Sequence, residues 1–344
     1  MKKILFRVSL LALILAAFIY YISKNYHTIE RTVSITLSQS LGFLLLAIFF
    51  CVLAYYFMAL MNKSVFEMMG IKRTISEMTI LQMSSLAVNV LVPSAGVAVG
   101  IMFAGDAREK GESEAAAVTA VLLALLVDYI SIAGLLTFGV IFLYFSKSLN
   151  LVFLIPAIAF YLLTLGLYLL IYYAGRKKEV VSRLLNWLLG KANKILKLFK
   201  KQKLLEDKPV INGFVDELER AYISIDRDKG DFIKSTGIIF LSHLMYLVAI
   251  YVLFFSLGIS PHLKVLITGY AIGMMFVVIS PTPNGVGFVE GSMALAYASL
   301  GISGAAAASV ALIYRGFSFW LPLIIGFVAM QRKHLVNLIA ERKG

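Results

Sequence analysis

The sequence predicts an all-α polytopic membrane protein of about six full spans plus two opposed re-entrant helical hairpins in an inverted repeat, and three observations carry that prediction. The first is composition: of 344 residues, 60% are hydrophobic and 15% charged, with mean hydropathy +0.88, outside the range of soluble domains. The second is a pair of interruptions, residues 89–100 (NVLVPSAGVAVG) and 280–291 (SPTPNGVGFVEG), each set inside a long apolar run. Proline removes an amide donor and glycine has no Cβ, so neither stretch continues as helix. At membrane depth such backbone is tolerated only where protein or a water-filled cavity solvates it. The third is repetition. Pro93 precedes Gly111 by the same interval as Pro283 precedes Gly301, and each glycine opens Gly-x-Ser-x-Ala-Ala-Ala, through Ser113 and Ala115 in one half and Ser303 and Ala305 in the other. Paired interrupted segments in corresponding halves point to a substrate site between them.

Residues 4–22 are long enough to cross once and follow Lys2 and Lys3. They end in Phe18, Tyr20 and Tyr21 without a small-x-small cleavage pattern, so they are expected to stay as the first helix. After a polar stretch, residues 41–61 form the second span, followed by Lys63, Lys72 and Arg73. Residues 80–104 contain the break at Pro93 and end at a charged segment, 105–114; residues 115–145 and 151–174 are the third and fourth spans. The loop 176–230 is the most basic, which places it in the cytoplasm. Counting back two spans puts 105–114 on the same side, so the Pro93 segment re-enters from inside. Counting forward, 232–257 and 305–330 are the fifth and sixth spans, the last ending at a basic tail. The connections 258–263 and 301–304 are then outside, the Pro283 segment re-enters from outside, and both termini are cytoplasmic. The chain reads as a single integral membrane domain over residues 1–344, with a first half 1–174, a basic loop 175–231 and a second half 232–344.

A net charge of +13 would suggest nucleic acid in a soluble protein. Here the basic residues collect in loops beside apolar spans, which reads as orientation and contact with anionic inner-leaflet lipid, with no nucleic-acid partner. Within the basic loop, residues 187–205 interleave Trp187, Leu188, Ile195, Leu196 and Phe199 with six lysines. This is either an amphipathic helix on the anionic leaflet or a solvated, topogenic loop. Pro209 is expected to end that element and residues 210–224 to form a second helix. The single cysteine, Cys51, lies in an apolar run, reads as packing, and excludes a disulfide framework within one chain.

Charged groups at membrane depth cost about 2.5–3.5 kcal/mol each on insertion scales, so each calls for a reason. Asp128, Glu290 and Arg315 are the candidates. The planar fork of Arg315 suits a lipid phosphate or a carboxylate, the latter as an internal pair with Glu290 or Asp128. Asn89 and Asn284 flank the breaks and read as caps for freed backbone or as ligands; Ser94 and Thr282 read the same way. His243 reads as a packed histidine bonded to a neighbouring helix. No zinc-spaced Cys/His set, phosphate-binding loop or nucleophile elbow is present, so no cofactor, metal or catalytic residue is expected, nor an ATP-driven step within this chain.

These residues bring a family into view. Pro283, Gly285, Gly287 and Glu290, then Gly301, the alanine run 305–308 and Tyr314-Arg315, with Asn89, Pro93, Gly96, 111–117 and Asp128 in the first half, resemble the transmembrane, flippase-like domain of bacterial lysylphosphatidylglycerol synthases and its stand-alone relatives. The resemblance covers nearly the whole chain. In two-domain members this domain precedes a soluble aminoacyl-transferase domain that modifies phosphatidylglycerol, and the membrane domain is linked to moving the product to the outer leaflet. This chain ends at Gly344, so the synthase activity is expected to be absent. Many relatives carry Gly-Glu after the first break, where here Val97 follows Gly96; a role for that acid cannot be carried over.

The resemblance implies a multi-pass protein of the prokaryotic cell membrane. Its expected activity is that of a lipid flippase or scramblase for an anionic, aminoacylated, polyprenyl-linked or glycolipid substrate. The expected substrate-binding residues are Arg315, Glu290, Asn284, Asn89, Asp128 and Tyr314, beside the broken backbone at Pro93, Gly96, Pro281, Pro283, Gly285 and Gly287. The alternatives are a membrane-embedded lipid transferase, which needs a convergent acid, base or metal set, and a non-transporting membrane partner of a lipid-modifying enzyme. The Gly and Ala content of the last span permits close packing within the protomer or in a homodimer.

Overall fold

The computed structural model describes residues 41–91, 97–198, 208–280 and 282–341. The predicted span 4–22 and the break residues Pro93, Ser94, Gly96 and Pro281 lie outside the described residues. In chain order the helices are α1 (Leu41–Met68), α2 (Ile75–Leu91), α3 (Val97–Glu109), α4 (Glu114–Phe145), α5 (Leu151–Arg176), α6 (Lys178–Leu198), α7 (Lys208–Arg227), α8 (Lys229–Ser256), α9 (Leu263–Ile279), α10 (Phe288–Ser299), α11 (Gly304–Arg315) and α12 (Leu321–Glu341). A 3₁₀ turn, Pro283–Gly285, lies between α9 and α10, and a π turn, Gly316–Trp320, joins α11 to α12. No strand occurs among the described residues.

Five stretches are long and apolar enough to cross a membrane: α1, α4, α5, α8 and Gly304–Gln331. These are five of the six predicted spans, the sixth being 4–22. Helices α2 and α9 are apolar but have 17 residues each, about 25 Å of helix against a hydrocarbon core of about 30 Å. Each is followed by a break and a shorter helix, so α2–α3 and α9–α10 are hairpins that dip in and return.

Side-chain contacts fix which ends go together. Arg73, before α2, donates to Asp106 near the end of α3 and to Glu112 beyond it, while Lys110 donates to Glu77 at the start of α2. Both ends of the first hairpin therefore meet. Ser113 lies against Glu217 of α7, and Ser224 of α7 donates to Met68 at the end of α1, so the basic α6–α7 layer sits at this same end. Helix α8 leaves that end antiparallel to α1, with Ser235 bonded to Ser64, Ser242 to the carbonyl of Ala54, and Phe255 against Phe43. At the opposite end Ser148, after α4, donates to the carbonyl of Ser299, the last residue of α10. The two hairpins thus enter from opposite ends, as the repeat predicts.

The repeat also shows in the backbone. Gly111 and Gly301 both adopt positive φ, +71° and +94°, where a side chain is strained. Ser113 and Ser303 then cap α4 and α11, each accepting at Oγ from the N–H three residues on, at 3.1 and 3.4 Å. One glycine stop and one serine start therefore build the same corner twice.

The basic loop is more ordered than the sequence reading expects. Helix α7 buries Val215, Leu218 and Ala221, and Tyr222 lies so close to α5 that a Cβ at Gly175 would meet its ring at 2.0 Å. Pro209 does not end an element; it is the second residue of α7, where its missing N–H is needed by no intrahelical bond. The amphipathic element starts earlier than predicted, at Lys178, and 199–207 lie outside the described residues. Helix α6 leaves Val180, Leu184, Trp187 and Leu188 exposed on one stripe, with the Lys191 ammonium 4.5 Å from the Trp187 ring.

Two predictions follow from this packing. Gly326 on α12 abuts α2 so closely that a Cβ would stand 2.0 Å from the Met83 carbonyl oxygen. Gly326→Ala is expected to lower unfolding stability by about 1–3 kcal/mol, the usual range for overpacking, whereas Gly291→Ala, with open space at its Cβ, leaves the melting midpoint near wild type. At the hairpin base, the Lys110 ammonium and the Thr74 N–H and hydroxyl hold the Glu77 carboxyl down to about 2. A depressed carboxylate contributes stability above its unfolded value, about 4.3, and loses it as pH falls toward 2. The difference in melting midpoint between wild type and Glu77→Gln should therefore be constant near neutrality and shrink on acidification through that window.

Candidate functional site

The second break organises the site. After α9 the chain leaves the helix, and Asn284 takes φ +50°, Gly285 +70° and Gly287 +84°. A Cβ at Gly285 would meet the Val289 side chain at 2.5 Å and the Phe276 carbonyl at 2.8 Å, so both the conformation and the space require glycine there. The freed backbone groups find partners within the protein. Gly285 N–H donates to the Thr282 carbonyl, the Thr282 hydroxyl donates to the Val286 carbonyl at 2.9 Å, and Gly287 N–H donates to Glu290 Oε2 at 2.8 Å.

Arg315 closes the arrangement. Its Nε donates to Glu290 Oε1 at 3.0 Å and its Nη2 to the Asn284 carbonyl at 3.0 Å, while Phe319 lies under the guanidinium at 4.2 Å. Both charged side chains are under a tenth exposed, at 7% and 5%. Of the two carboxylates the sequence offers as partners, Arg315 pairs with Glu290. The π turn begins at the next residue, and the Ser318 carbonyl within it accepts from the Tyr55 hydroxyl at 2.9 Å. π turns of this kind concentrate at functional sites.

The last turn of α2 touches the second break. Asn89 Nδ2 on α2 donates to Asn284 Oδ1 at 3.0 Å, and Asn284 Nδ2 reaches the Leu86 carbonyl at 3.5 Å. Asn284 therefore uses its side-chain oxygen, its side-chain nitrogen and its backbone carbonyl to join α2, the second break and α11. Asn284 reaches a backbone carbonyl, and Asn89 bonds to the Asn284 side chain.

Asp128 is placed elsewhere. Its Oδ1 lies 3.1 Å from His243 Nε2, on the wall of a cavity of about 150 Å³ between α1, α2, α3 and α4. His243 Nδ1 is 2.7 Å from the Tyr270 hydroxyl, the neighbouring-helix bond expected of it. Tyr314, expected to bind substrate, is 3% exposed and packs edge-on to Tyr246 and Tyr270 in the core. Among the described residues no group of three His, Cys, Asp or Glu converges to hold a metal.

The sequence reading missed four contributors. Phe319 and the π turn carry no sequence signal beyond the Gly316 that follows Arg315, and Tyr55 is one of 17 tyrosines. The Asn62–Gln82 amide pair on the cavity wall had a signal: both are uncharged polar residues within or beside apolar runs.

Opposed broken hairpins meeting inside a bundle of membrane-length helices define a polytopic helical membrane protein with an internal, protein-solvated polar site. The family model for the lysylphosphatidylglycerol synthase TM region matches residues 4–326, and the chain belongs to that family. It is also similar to UPF0104 membrane proteins of Methanothermobacter thermautotrophicus. One match is 25% identical over 249 residues, 71% of this chain and 72% of the relative. A second is 27% identical over 157 residues, 42% of this chain and 46% of the relative, so it spans less than half of that relative's length.

The Arg315–Glu290 pair gives a stability prediction. Arg315→Met leaves a buried, unpaired carboxylate and is expected to cost about 3–5 kcal/mol. Adding Glu290→Gln should restore part of that loss in thermal unfolding, because the uncompensated charge is gone while the Asn284 carbonyl stays without its donor.

Proposed function

We propose that this protein moves a phosphate-bearing lipid between membrane leaflets, with the headgroup passing at the junction of the two hairpin tips. The observation that carries this reading is the Asn89–Asn284 contact, which sets two interrupted segments entering from opposite ends against each other. Broken helices of this type form the substrate sites of secondary transporters. Arg315 supplies the chemistry for the headgroup: a phosphate exchanges with Glu290 at the guanidinium fork, and Glu290 keeps the Gly287 N–H as a partner when released. Family membership supports a lipid-related role. The substrate class, anionic, aminoacylated or polyprenyl-linked, shares the phosphate that Arg315 recognises. The exposed Val180, Leu184, Trp187 and Leu188 stripe of α6 lies on anionic lipid in this reading, with the basic end cytoplasmic and the protein in a prokaryotic plasma membrane.

Reconstitution into liposomes carrying a fluorescent phosphatidylglycerol, with dithionite quenching from outside, tests the activity. Wild type should expose inner-leaflet lipid faster than protein-free vesicles, and Arg315→Lys should slow it on the order of tenfold while melting near wild type, because the bidentate geometry is lost. Wild-type rates in Arg315→Lys would remove the phosphate role. Orientation is read by cysteine labelling in a Cys51→Ala background: Lys110→Cys and Lys191→Cys should be shielded from an impermeant reagent in intact cells, and Ser260→Cys and Ser303→Cys should react.

A further inference from the structure

A second ionisable group lies inside the bundle, and nothing at the hairpin tips uses it. Asp128 Oδ1 and His243 Nε2 are within ion-pair distance, 3.1 Å, yet among the described residues neither atom has a hydrogen-bond partner. The other ring nitrogen of His243 is occupied by the Tyr270 hydroxyl at 2.7 Å. The imidazole is therefore anchored on one side and chemically vacant on the other. His243 is 1% exposed, while the Asp128 side chain, 16% exposed, is, among the described residues, the one ionisable group lining the 150 Å³ cavity. Asn62, Gln82 and Ser85 add polar groups to the same wall. A cavity needs only about 10–15 Å³ and a few polar partners to hold a water.

We propose that Asp128 and His243 form a proton-binding site supplied from this cavity. In the tautomer whose Nδ1–H faces Tyr270, the Nε2 lone pair and the Asp128 carboxylate confront each other with no hydrogen between them. One proton taken from cavity water binds at Nε2, leaving hydroxide to the bulk buffer, and the pair goes from a net charge of −1 to zero. The imidazolium is then stabilised by the carboxylate beside it, and the carboxylate by the imidazolium. The surrounding titratable groups are Tyr129 on α4, Tyr246 on α8, Tyr270 on α9, Tyr314 on α11, and Tyr55 and Cys51 on α1. Each is neutral when protonated, and the cation on α11, Arg315, is committed to Glu290. The cavity residues of α2 and α3 bring no charge. Gln82 and Ser85 belong to α2, the half-helix that ends in the Asn89 contact, so proton occupancy bears on the position of the first hairpin. That last link rests on the lipid-transport reading; the proton site does not.

The test is the ring charge of His243, read by ¹⁵N NMR on the ¹⁵N-histidine-labelled full chain in nanodiscs and assigned with His243→Gln. The expected result is a ring that passes between its neutral and cationic forms as the sample pH is varied. In Asp128→Asn the conversion should differ from wild type, since the carboxylate facing Nε2 is gone. A ring that stays neutral throughout in wild type, or an unmoved midpoint in Asp128→Asn, overturns the proposal. Should that variant fail to fold, hydrogen–deuterium exchange of the wild-type ring N–H decides: prompt exchange supports access from the cavity, and protection for hours overturns it. In the liposome assay, lipid movement absent under every condition sinks the transport reading and leaves the ring titration standing.

Discussion

Backbone that leaves a helix inside an apolar slab must find its hydrogen bonds within the protein, and the rest of this architecture answers that constraint. Each unsatisfied amide or carbonyl in hydrocarbon costs several kcal/mol. The second break meets the demand with a carboxylate for one amide, a guanidinium for one carbonyl and a hydroxyl for another. Two buried charges are thereby explained together. Glu290 accepts from an amide, and Arg315 neutralises Glu290 and donates to a carbonyl. A buried ion pair alone is weak evidence for stability, but one that also solvates peptide groups has a structural task that apolar replacements cannot perform.

The same constraint explains why the two halves look alike at their corners and differ at their tips. The corner after each hairpin recurs with the same glycine conformation and the same serine cap, a left-handed residue to stop one helix and an acceptor to start the next. At the tips the halves interlock. The asparagine of one hairpin serves the asparagine of the other, so neither tip is complete without its partner. The helices that follow differ as well: α4 is one uninterrupted helix, whereas the corresponding stretch in the second half is split by the π turn.

Much of this was legible in the residues. Hydropathy gave the five described spans to within a few residues, with the largest departure at the end of α1, and the Gly-x-Ser-x-Ala repeat marked both corners. The count of basic loops placed the hairpins at opposite ends. Pairing was less legible. Arg315 had two possible acids, and composition cannot say that Asp128 faces α8 while Glu290 faces α11, because that depends on helix rotation within the bundle. Asn284 was visible as a residue beside a break, but its reach to Leu86 and Asn89 depends on a long-range contact no local pattern encodes. The basic loop misled for a local reason: Pro209 reads as a terminator when its neighbours are unknown, and becomes a helix start once α7 packs on α5. The π turn left no periodic trace, since a single wide turn shifts a pattern that is apolar all round.

A π turn inserts one residue without lengthening the helix proportionally, so it advances the angular phase of everything beyond it by roughly 100° relative to an unbroken α-helix. In the last span this means that the face presenting Arg315 to the break and the face presenting Gly326 to α2 are set independently by one small structural element. The helix works as two rods joined by a rotational offset, each keyed to a different hairpin: α11 to the second and α12 to the first. The offset itself is tied to α1, where the Tyr55 hydroxyl donates to the Ser318 carbonyl within the π turn.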